Sequence, residues 1–291
     1  MSLVIQNLNK TYSNGVKAID NLDLEIGAGM FGLLGPNGAG KSSIMRTIAT
    51  LQKPDTGSIH FGDINILENQ QEFRKILGYL PQSFGVYPNI SADDLLDYFA
   101  RLKGISSSKD RRKIVDSVLE ATNLYDVRKK SVSGYSGGMK QRFGIAQLLL
   151  NDPKLIIVDE PTAGLDPAER HRFLNVLREI GTDNTVIFST HIVDDVKELC
   201  NHMAIINGGR LLDKSTPKEA QKKLEGLIWT KEVNREEADN LNTELNLLSS
   251  NYNEDNSLNV RVLSEEPLTE KGFIQVTPNL EDVYFAALKN D

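Results

Sequence analysis

The sequence has few cysteines, few aromatic residues and no long apolar run. A single cysteine among 291 residues, Cys200, excludes a disulfide within the chain, and aromatic residues make up only 7% of it. We expect Cys200 to be a small hydrophobic residue on a helix. No stretch reaches the roughly 20 apolar residues that a membrane-spanning helix needs, and the first residues do not resemble a signal peptide. Any role at a membrane is therefore expected to come through a partner chain.

Positive charge is also scarce. The chain carries 33 lysines and arginines against 40 aspartates and glutamates, which gives a formal net charge of −7. Because proteins that bind nucleic acid usually present a basic face to the phosphates, we expect no nucleic acid as the main partner. The length and the apolar fraction of 40% are typical of a globular protein with one large domain or two.

A glycine-rich stretch between a predicted strand (30–34) and a predicted helix (43–51) is the strongest motif. It satisfies G-x-x-x-x-G-K-[ST] and reads Gly35, Pro36, Asn37, Gly38, Ala39, Gly40, Lys41, Ser42, Ser43. The glycines let successive N–H groups turn towards phosphate oxygens, and the helix N-terminus adds partial positive charge. Lys41 is then expected to neutralise the β- and γ-phosphates, and the Ser42 hydroxyl to bind Mg²⁺.

Two further motifs suggest chemistry on phosphates. Asp159 and Glu160 follow the apolar run 155–158, and two carboxylates at the end of a buried strand are costly without a function. Beside a phosphate loop, Asp159 could hold the hydration shell of Mg²⁺ and Glu160 could polarise an attacking water. Ser136, Gly137 and Gly138 begin a predicted helix and form either a second anion site or simply a flexible N-cap.

Two isolated residues leave alternatives open. Tyr12 lies just before a predicted turn, and taken alone it is better explained as a strand aromatic than as a ring that stacks on a nucleotide base. His191 follows the predicted strand 185–189. A lone histidine in this place is usually structural, but ligands bind at the carboxyl ends of strands in such sheets.

The chain divides into two parts by its patterns. Residues 1–213 alternate predicted strands and helices as an α/β protein does, with antiparallel strand signals near the start and a helical insert at about 89–150. Residues 214–291 contain no nucleotide motif, and we predict a small C-terminal α+β appendage there. Its strands are expected at 227–233, 258–263 and 273–276, and its helices at 235–245 and 280–289.

Taken together, these motifs resemble the nucleotide-binding subunit of an ABC transporter over about residues 1–215. The phosphate loop matches the Walker A motif, Asp159 with Glu160 the Walker B strand and catalytic glutamate, and residues 135–139 the signature sequence. Gln82 matches the Q-loop, Asp166 the D-loop and His191 the switch histidine, and Tyr12 falls where the family stacks adenine. The signature departs from the usual LSGGQ at Tyr135 and Met139.

The resemblance implies a P-loop NTPase fold and an ATPase that uses ATP and Mg²⁺. Lys41, Glu160 and His191 would act in catalysis, and Ser42, Gln82 and, through water, Asp159 would hold the metal. The resemblance also implies a head-to-tail dimer, and because this chain has one copy of each motif, a homodimer would complete two sites. Ser136, Gly137 and Gly138 of one copy would then meet the γ-phosphate in the other. The sequences of residues 135–142 and 280–288 are similar to those of the drug- and antibiotic-export branch.

The resemblance further implies an integral-membrane permease as partner, with the chain in the cytoplasm at the inner face of the membrane. The alternative is an ABC ATPase that works on no membrane, in soluble assembly, translation or repair. Translation members typically carry two cassettes in one chain, and repair members carry coiled coils or zinc-binding cysteines. This chain has neither feature.

Overall fold

The computed structural model describes residues 1–85, 87–182 and 184–289, except for the side chains of residues 242 and 243. Within these ranges the strands are β1 (Leu3–Thr11), β2 (Lys17–Ile26), β3 (Gly29–Leu34), β4 (Thr56–Phe61), β5 (Ile64–Asn65), β6 (Leu77–Leu80), β7 (Leu155–Asp159), β8 (Thr185–Thr190), β9 (His202–Asn207), β10 (Arg210–Ser215), β11 (Ile228–Val233), β12 (Asn246–Tyr252), β13 (Leu258–Leu263) and β14 (Ile274–Gln275).

The α-helices of the same ranges are α1 (Lys41–Ile48), α2 (Gln70–Lys75), α3 (Ala92–Leu102), α4 (Ser108–Ala121), α5 (Gly137–Leu149), α6 (Pro167–Ile180), α7 (Val193–Leu199), α8 (Pro217–Lys223), α9 (Arg235–Glu244) and α10 (Leu280–Lys289). No helix in the described ranges is both long and apolar enough to cross a membrane.

A six-stranded central sheet with the order β10-β9-β3-β8-β7-β6 carries the phosphate loop. Its strands are parallel except β10, which pairs antiparallel with β9. Strand β7 is buried along its whole length because helices and a second sheet cover the two faces. The second sheet, β2-β1-β4-β5, is antiparallel and shares one apolar core with α1 and the central sheet.

Helices α3, α4 and α5 form the predicted helical insert and have a core of their own. Ser91 caps α3, since its side chain accepts a hydrogen bond from the backbone N–H of Asp94. The family fold predicted from the motifs, a P-loop α/β core with an antiparallel β subdomain and a helical insert, is confirmed.

The C-terminal residues form a third sheet with the order β12-β13-β11-β14. One face of it packs against α9 and the other against α10. Trp229 of β11 is buried in the core between this sheet and α9. Strand β10 extends to Ser215, two residues beyond the division expected at 213, and strand β12 was not predicted.

Candidate active site

Four parallel strands of the central sheet end at one edge. In the register of the sheet, Leu34 of β3 lies opposite Thr190 of β8, and Asp159 of β7 lies opposite Ser189. The next strand, β6, ends beside β7. The loops that leave these strands therefore bring the phosphate loop, Gln82, Glu160 and His191 to the same edge.

The phosphate loop curls tightly before α1. Gly38 and Gly40 have φ values of 84° and 103°, and a Cβ on Gly40 would lie 2.3 Å from the carbonyl oxygen of Ala18. Only glycine tolerates this combination of left-handed backbone and close contact. Lys41 folds back over the loop and donates hydrogen bonds from Nζ to the carbonyl oxygens of Gly35 (2.7 Å) and Pro36 (3.0 Å).

Glu160 is the residue where the predicted catalytic groups meet. Its Oε1 lies 3.2 Å from Lys41 Nζ, and its Oε2 lies 3.3 Å from His191 Nδ1. Gln82 donates a hydrogen bond from Nε2 to the same Oε2 at 3.4 Å. The carboxylate is 9% exposed and its backbone has φ 44°, an unusual conformation for a residue other than glycine.

Asp159 lies beside Glu160 and contacts the phosphate loop. Its Oδ1 accepts hydrogen bonds from Ser42 Oγ (3.2 Å) and from Ser189 Oγ (2.7 Å). The Ser189 hydroxyl in turn accepts a hydrogen bond from the backbone N–H of Glu160 at 2.9 Å. Ser189 therefore fixes the ends of β7 and β8 to each other, a role that the sequence analysis did not identify.

The residues predicted to hold Mg²⁺ carry the oxygen atoms that this ion prefers as ligands. Ser42 and Asp159 present a hydroxyl and a carboxylate within hydrogen-bond distance of each other, and such hard oxygen ligands suit Mg²⁺. Among the described residues no group of three His, Cys, Asp or Glu side chains could hold a metal. A Mg²⁺ ion here would therefore depend on phosphate oxygens and water for the rest of its coordination.

Tyr12 follows β1 and lies at the mouth of the site rather than inside the antiparallel sheet. Its hydroxyl lies 2.9 Å from Ser43 Oγ and donates to Gln52 Oε1 at 3.0 Å, and the side chain is 37% exposed. The ring is thus fixed at its hydroxyl end while the side chain stays partly exposed. This geometry fits a stacking platform better than a packed strand aromatic.

A cleft of about 560 Å³ connects Tyr12 with the phosphate loop. In the described part of the chain its walls are formed by Tyr12, Val16, Lys17, Ala18, Asn37, Gly38, Ala39, Gly40, Lys41, Ser42, Ser43, Gln82, Glu160 and Gly208. The signature residues and Asp166 are not among these wall residues.

The signature residues lie at the start of α5, beside α6. Ser136 caps α5 by accepting a hydrogen bond from the backbone N–H of Met139 at 3.2 Å. Tyr135 is buried in the core of the helical insert, where desolvation raises its pKa to about 12 and its hydroxyl donates to the carbonyl of Val127. The departure from LSGGQ at Tyr135 therefore lies in the core of the helical insert, whereas the neighbouring Ser136 is exposed.

Cys200 is a small buried residue at the end of a helix, in agreement with the role predicted from the sequence. It ends α7 and is buried in the core beneath the central sheet. Desolvation raises the pKa of its thiol far above the ordinary value, and the charge of Asp195 adds to that effect. A thiol that stays protonated is a poor nucleophile, so the geometry assigns Cys200 no chemistry.

Comparison with known proteins is consistent with this geometry. A family model described as ABC transporter matches residues 19–163. The Nod factor export ATP-binding protein I of Cupriavidus metallidurans is 36% identical over 219 residues, which are 75% of this chain and 72% of that protein. The bacitracin transport ATP-binding protein BcrA of Bacillus licheniformis is 35% identical over 219 residues, 74% of this chain and 70% of that protein.

Solved structures include similar chains. One is the dimeric structure of a post-hydrolysis state of the ATP-binding cassette MJ0796 bound to ADP and Pi. It superposes with a TM-score of 0.66 at 25% identity, and the match covers 74% of this chain and 98% of that one.

Proposed function

This chain belongs to the ABC transporter family of ATP-binding subunits, and from that premise we propose how its residues bind ATP, hydrolyse it and drive export through a permease. As a member of the family it is an ATPase that converts ATP and water to ADP and phosphate. Two of its relatives are named for Nod factor export and for bacitracin transport. These names support an exporter of drugs, antibiotics, lipids or similar molecules.

The observation that carries the proposal is the position of Glu160 between Lys41 and His191. A water molecule beside the Glu160 carboxylate would be oriented for in-line attack on the γ-phosphorus, and the bond from that phosphorus to the β,γ-bridging oxygen would break. Glu160 would accept the water proton, while Lys41 and His191 would stabilise the charge on the phosphoryl oxygens. Positioning and electrostatics thus provide most of the rate.

The same site would hold the rest of the nucleotide. Backbone N–H groups of residues 35–43 other than Pro36 would bind the phosphates, and the partly exposed ring of Tyr12 would stack on adenine. Bound Mg²⁺ would neutralise charge on the phosphate oxygens, held by Ser42, Gln82 and, through water, Asp159.

A second copy of the chain would complete each site. The N-terminus of α5 is polar and suited to an anion, and it is formed by Ser136, Gly137 and Gly138. These residues are not among the walls of the described cleft, so they would have to bind a phosphate held by another copy. In a head-to-tail homodimer these residues would bind the γ-phosphate held by the partner copy, next to its Asp166. ATP would then favour the closed dimer because it makes more contacts there.

The permease would bind at the loop that follows β6. Gln82, the second residue of this loop, contacts Glu160, and Tyr87 farther along it is 54% exposed. Closure of two such subunits would move these loops and the attached permease together. The chain would thus be cytoplasmic and held at the inner face of the membrane by the permease. We also propose that residues 1–213 are the ATPase domain, with its helical subdomain at about 89–150, and that residues 214–291 are an accessory domain.

The test is the Glu160→Gln variant, measured alone and with a co-expressed permease. We expect ATP hydrolysis to fall by roughly 100-fold or more while ATP binding is kept, because Gln cannot accept the proton. Size-exclusion chromatography with ATP should show a stable dimer, and permease-containing membranes should lose ATP-driven efflux.

Glu72→Gln is the matched control, since Glu72 is exposed on α2. Hydrolysis by Glu160→Gln at the wild-type rate would refute the assignment of Glu160. Normal hydrolysis by the wild-type chain with no efflux through any co-expressed permease would refute the export proposal alone.

A further inference from the structure

A buried carboxylate outside the catalytic group, Asp195, joins three segments of the site. Asp195 lies in the first turn of α7 and is 0% exposed. A buried charge is costly unless paired and hydrogen-bonded. Its hydrogen bonds therefore indicate what the residue does.

Each of three donors reaches Asp195 from a different segment. Thr162 Oγ1 donates to Oδ2 at 2.7 Å from the loop after β7, and Thr190 Oγ1 donates to the same oxygen at 3.2 Å from the end of β8. Arg170 Nε donates to Oδ1 at 2.6 Å from α6, which makes this contact an ion pair.

Each of these segments carries a proposed site residue. Thr162 lies two positions after Glu160, Thr190 directly precedes His191, and Arg170 lies four positions after Asp166.

The hydroxyl of Thr190 makes hydrogen bonds that restrain the backbone around His191. Thr190 Oγ1 also accepts a hydrogen bond from the backbone N–H of Ile192 at 2.9 Å. This bond links the residue before His191 to the residue after it. Through Thr190, Asp195 therefore restrains the backbone that carries His191.

We propose that Asp195 is a positioning residue for ATP hydrolysis: its three hydrogen bonds hold Glu160, His191 and Asp166 in one arrangement. This inference rests on the proposed roles of Glu160 and His191. Asp195 acts through its neighbours, and its carboxylate contacts none of the three site residues. Because Asp166 would face the partner copy in the homodimer, Asp195 also links the histidine of one site to the loop that approaches the other.

The direct test is Asp195→Asn in the full-length chain. Asparagine has nearly the same shape but lacks the charge that pairs with Arg170. We expect kcat to fall on the order of 10-fold to 100-fold, as small misplacements of catalytic groups do, while KM for ATP changes by less than about twofold. A change confined to kcat distinguishes loss of positioning from loss of nucleotide binding.

Asp282→Asn is the matched control. Asp282 is 1% exposed and receives two hydrogen bonds of 2.7 Å from Arg261, so its variant breaks a similar buried ion pair in the C-terminal part of the chain. We expect it to lower thermal stability without lowering kcat. An equal loss of kcat in both variants would overturn the proposal, because general destabilisation would then explain the effect.

A double variant with His191→Ala tests the link to the histidine. If Asp195 acts partly through His191, Asp195→Asn should cost less in the His191→Ala background than in the wild type. Full additivity would contradict the proposal. Should Asp195→Asn fail to fold, Thr162→Val removes one donor while keeping its shape, and an unchanged kcat in that variant would overturn the idea.

The Glu160→Gln variant distinguishes failure of the positioning role of Asp195 from failure of the proposed catalytic site. If Glu160→Gln abolishes turnover but folded Asp195→Asn hydrolyses ATP normally, only the positioning role fails. If Glu160→Gln itself hydrolyses ATP normally, the proposed catalytic site fails first.

Discussion

At the scale of single residues, Gly138 has no room for a side chain. A Cβ at this position would lie 2.1 Å from Glu169 Oε2 and 2.8 Å from Glu169 Cβ. Arg142 and Arg172 pair with the same glutamate, at 3.4 Å and 2.6 Å. The glycine is therefore required within its own chain, by packing of α5 against α6, whatever it also does for a phosphate.

The prediction is that Gly138→Ala destabilises the chain by about 1–3 kcal/mol, the usual cost of overpacking. Denaturant unfolding without nucleotide measures it. Gly137→Ala is the control, because a Cβ there would meet only Leu165 Cδ2 at 3.7 Å, an ordinary contact. Adding Glu169→Ala should restore part of the loss in Gly138→Ala. Equal stability of the two alanine variants would contradict this account.

At the scale of elements, helices α5 and α6 begin at side-chain caps, whereas α1 begins at Gly40 without one. Ser136 caps α5, and Asp166 caps α6 by accepting a hydrogen bond from the backbone N–H of Glu169. These caps follow from local chemistry, so the sequence predicts the starts of both helices. Ser136 combines the cap with its proposed contact to a phosphate in the partner copy.

Two substitutions separate these roles of Ser136. Ser136→Ala should lose the cap and about 1 kcal/mol of stability, whereas Ser136→Asn should keep the cap and the stability. Both should weaken ATP-driven dimerisation, because the asparagine amide is larger than the hydroxyl it replaces.

Unfolding free energies and ATP-dependent dimerisation in the Glu160→Gln background measure the two effects. Ser107→Ala is the control, since Ser107 caps α4 by accepting from the backbone N–H of Asp110. It should lose similar stability without loss of dimerisation. Full dimerisation of Ser136→Asn would show that the hydroxyl is not needed at the interface.

At the scale of the whole molecule, α10 joins the C-terminal sheet to the ATPase core. Leu280, Val283 and Tyr284 belong to the same apolar cluster as residues of α6, α7 and β9. On its other side, Ala286 packs with residues of the third sheet, and Asp282 pairs with Arg261 of β13. The last helix in the sequence is thus part of the core that supports the site.

We therefore predict that Leu280→Ala weakens the ATPase core itself. Leu280 is 2% exposed, and truncation of such a side chain typically costs about 2–5 kcal/mol. ATP binding followed against urea concentration should show an earlier loss.

Phe273→Ala is the control, because Phe273 is equally buried but lies in the cluster formed by the C-terminal sheet and α9. It should leave the urea midpoint of ATP binding nearly unchanged. A similar shift in both variants would mean that the C-terminal residues unfold together with the core as one unit.

The elements that could be predicted from the sequence are those with long patterns or strong local signals. Asn279 precedes the predicted helix 280–289, and its side chain accepts a hydrogen bond from the backbone N–H of Asp282, as a local N-cap does. The short elements α2, α8 and β12 were missed because six or seven residues are too few for a clear apolar period. Tertiary packing, rather than local preference, stabilises such segments.

By itself the sequence determined the phosphate loop, the carboxylates after β7 and the family, because those motifs are contiguous and their chemistry is local. Only the tertiary structure decided that Ser189 fixes the end of β8 to the end of β7, that Asp195 joins three segments, and that α10 supports the core. These contacts link residues far apart in the chain, such as Ser189 and Asp159, which are 30 positions apart. The order of strands in the sheet brings them together, and no local pattern encodes that order.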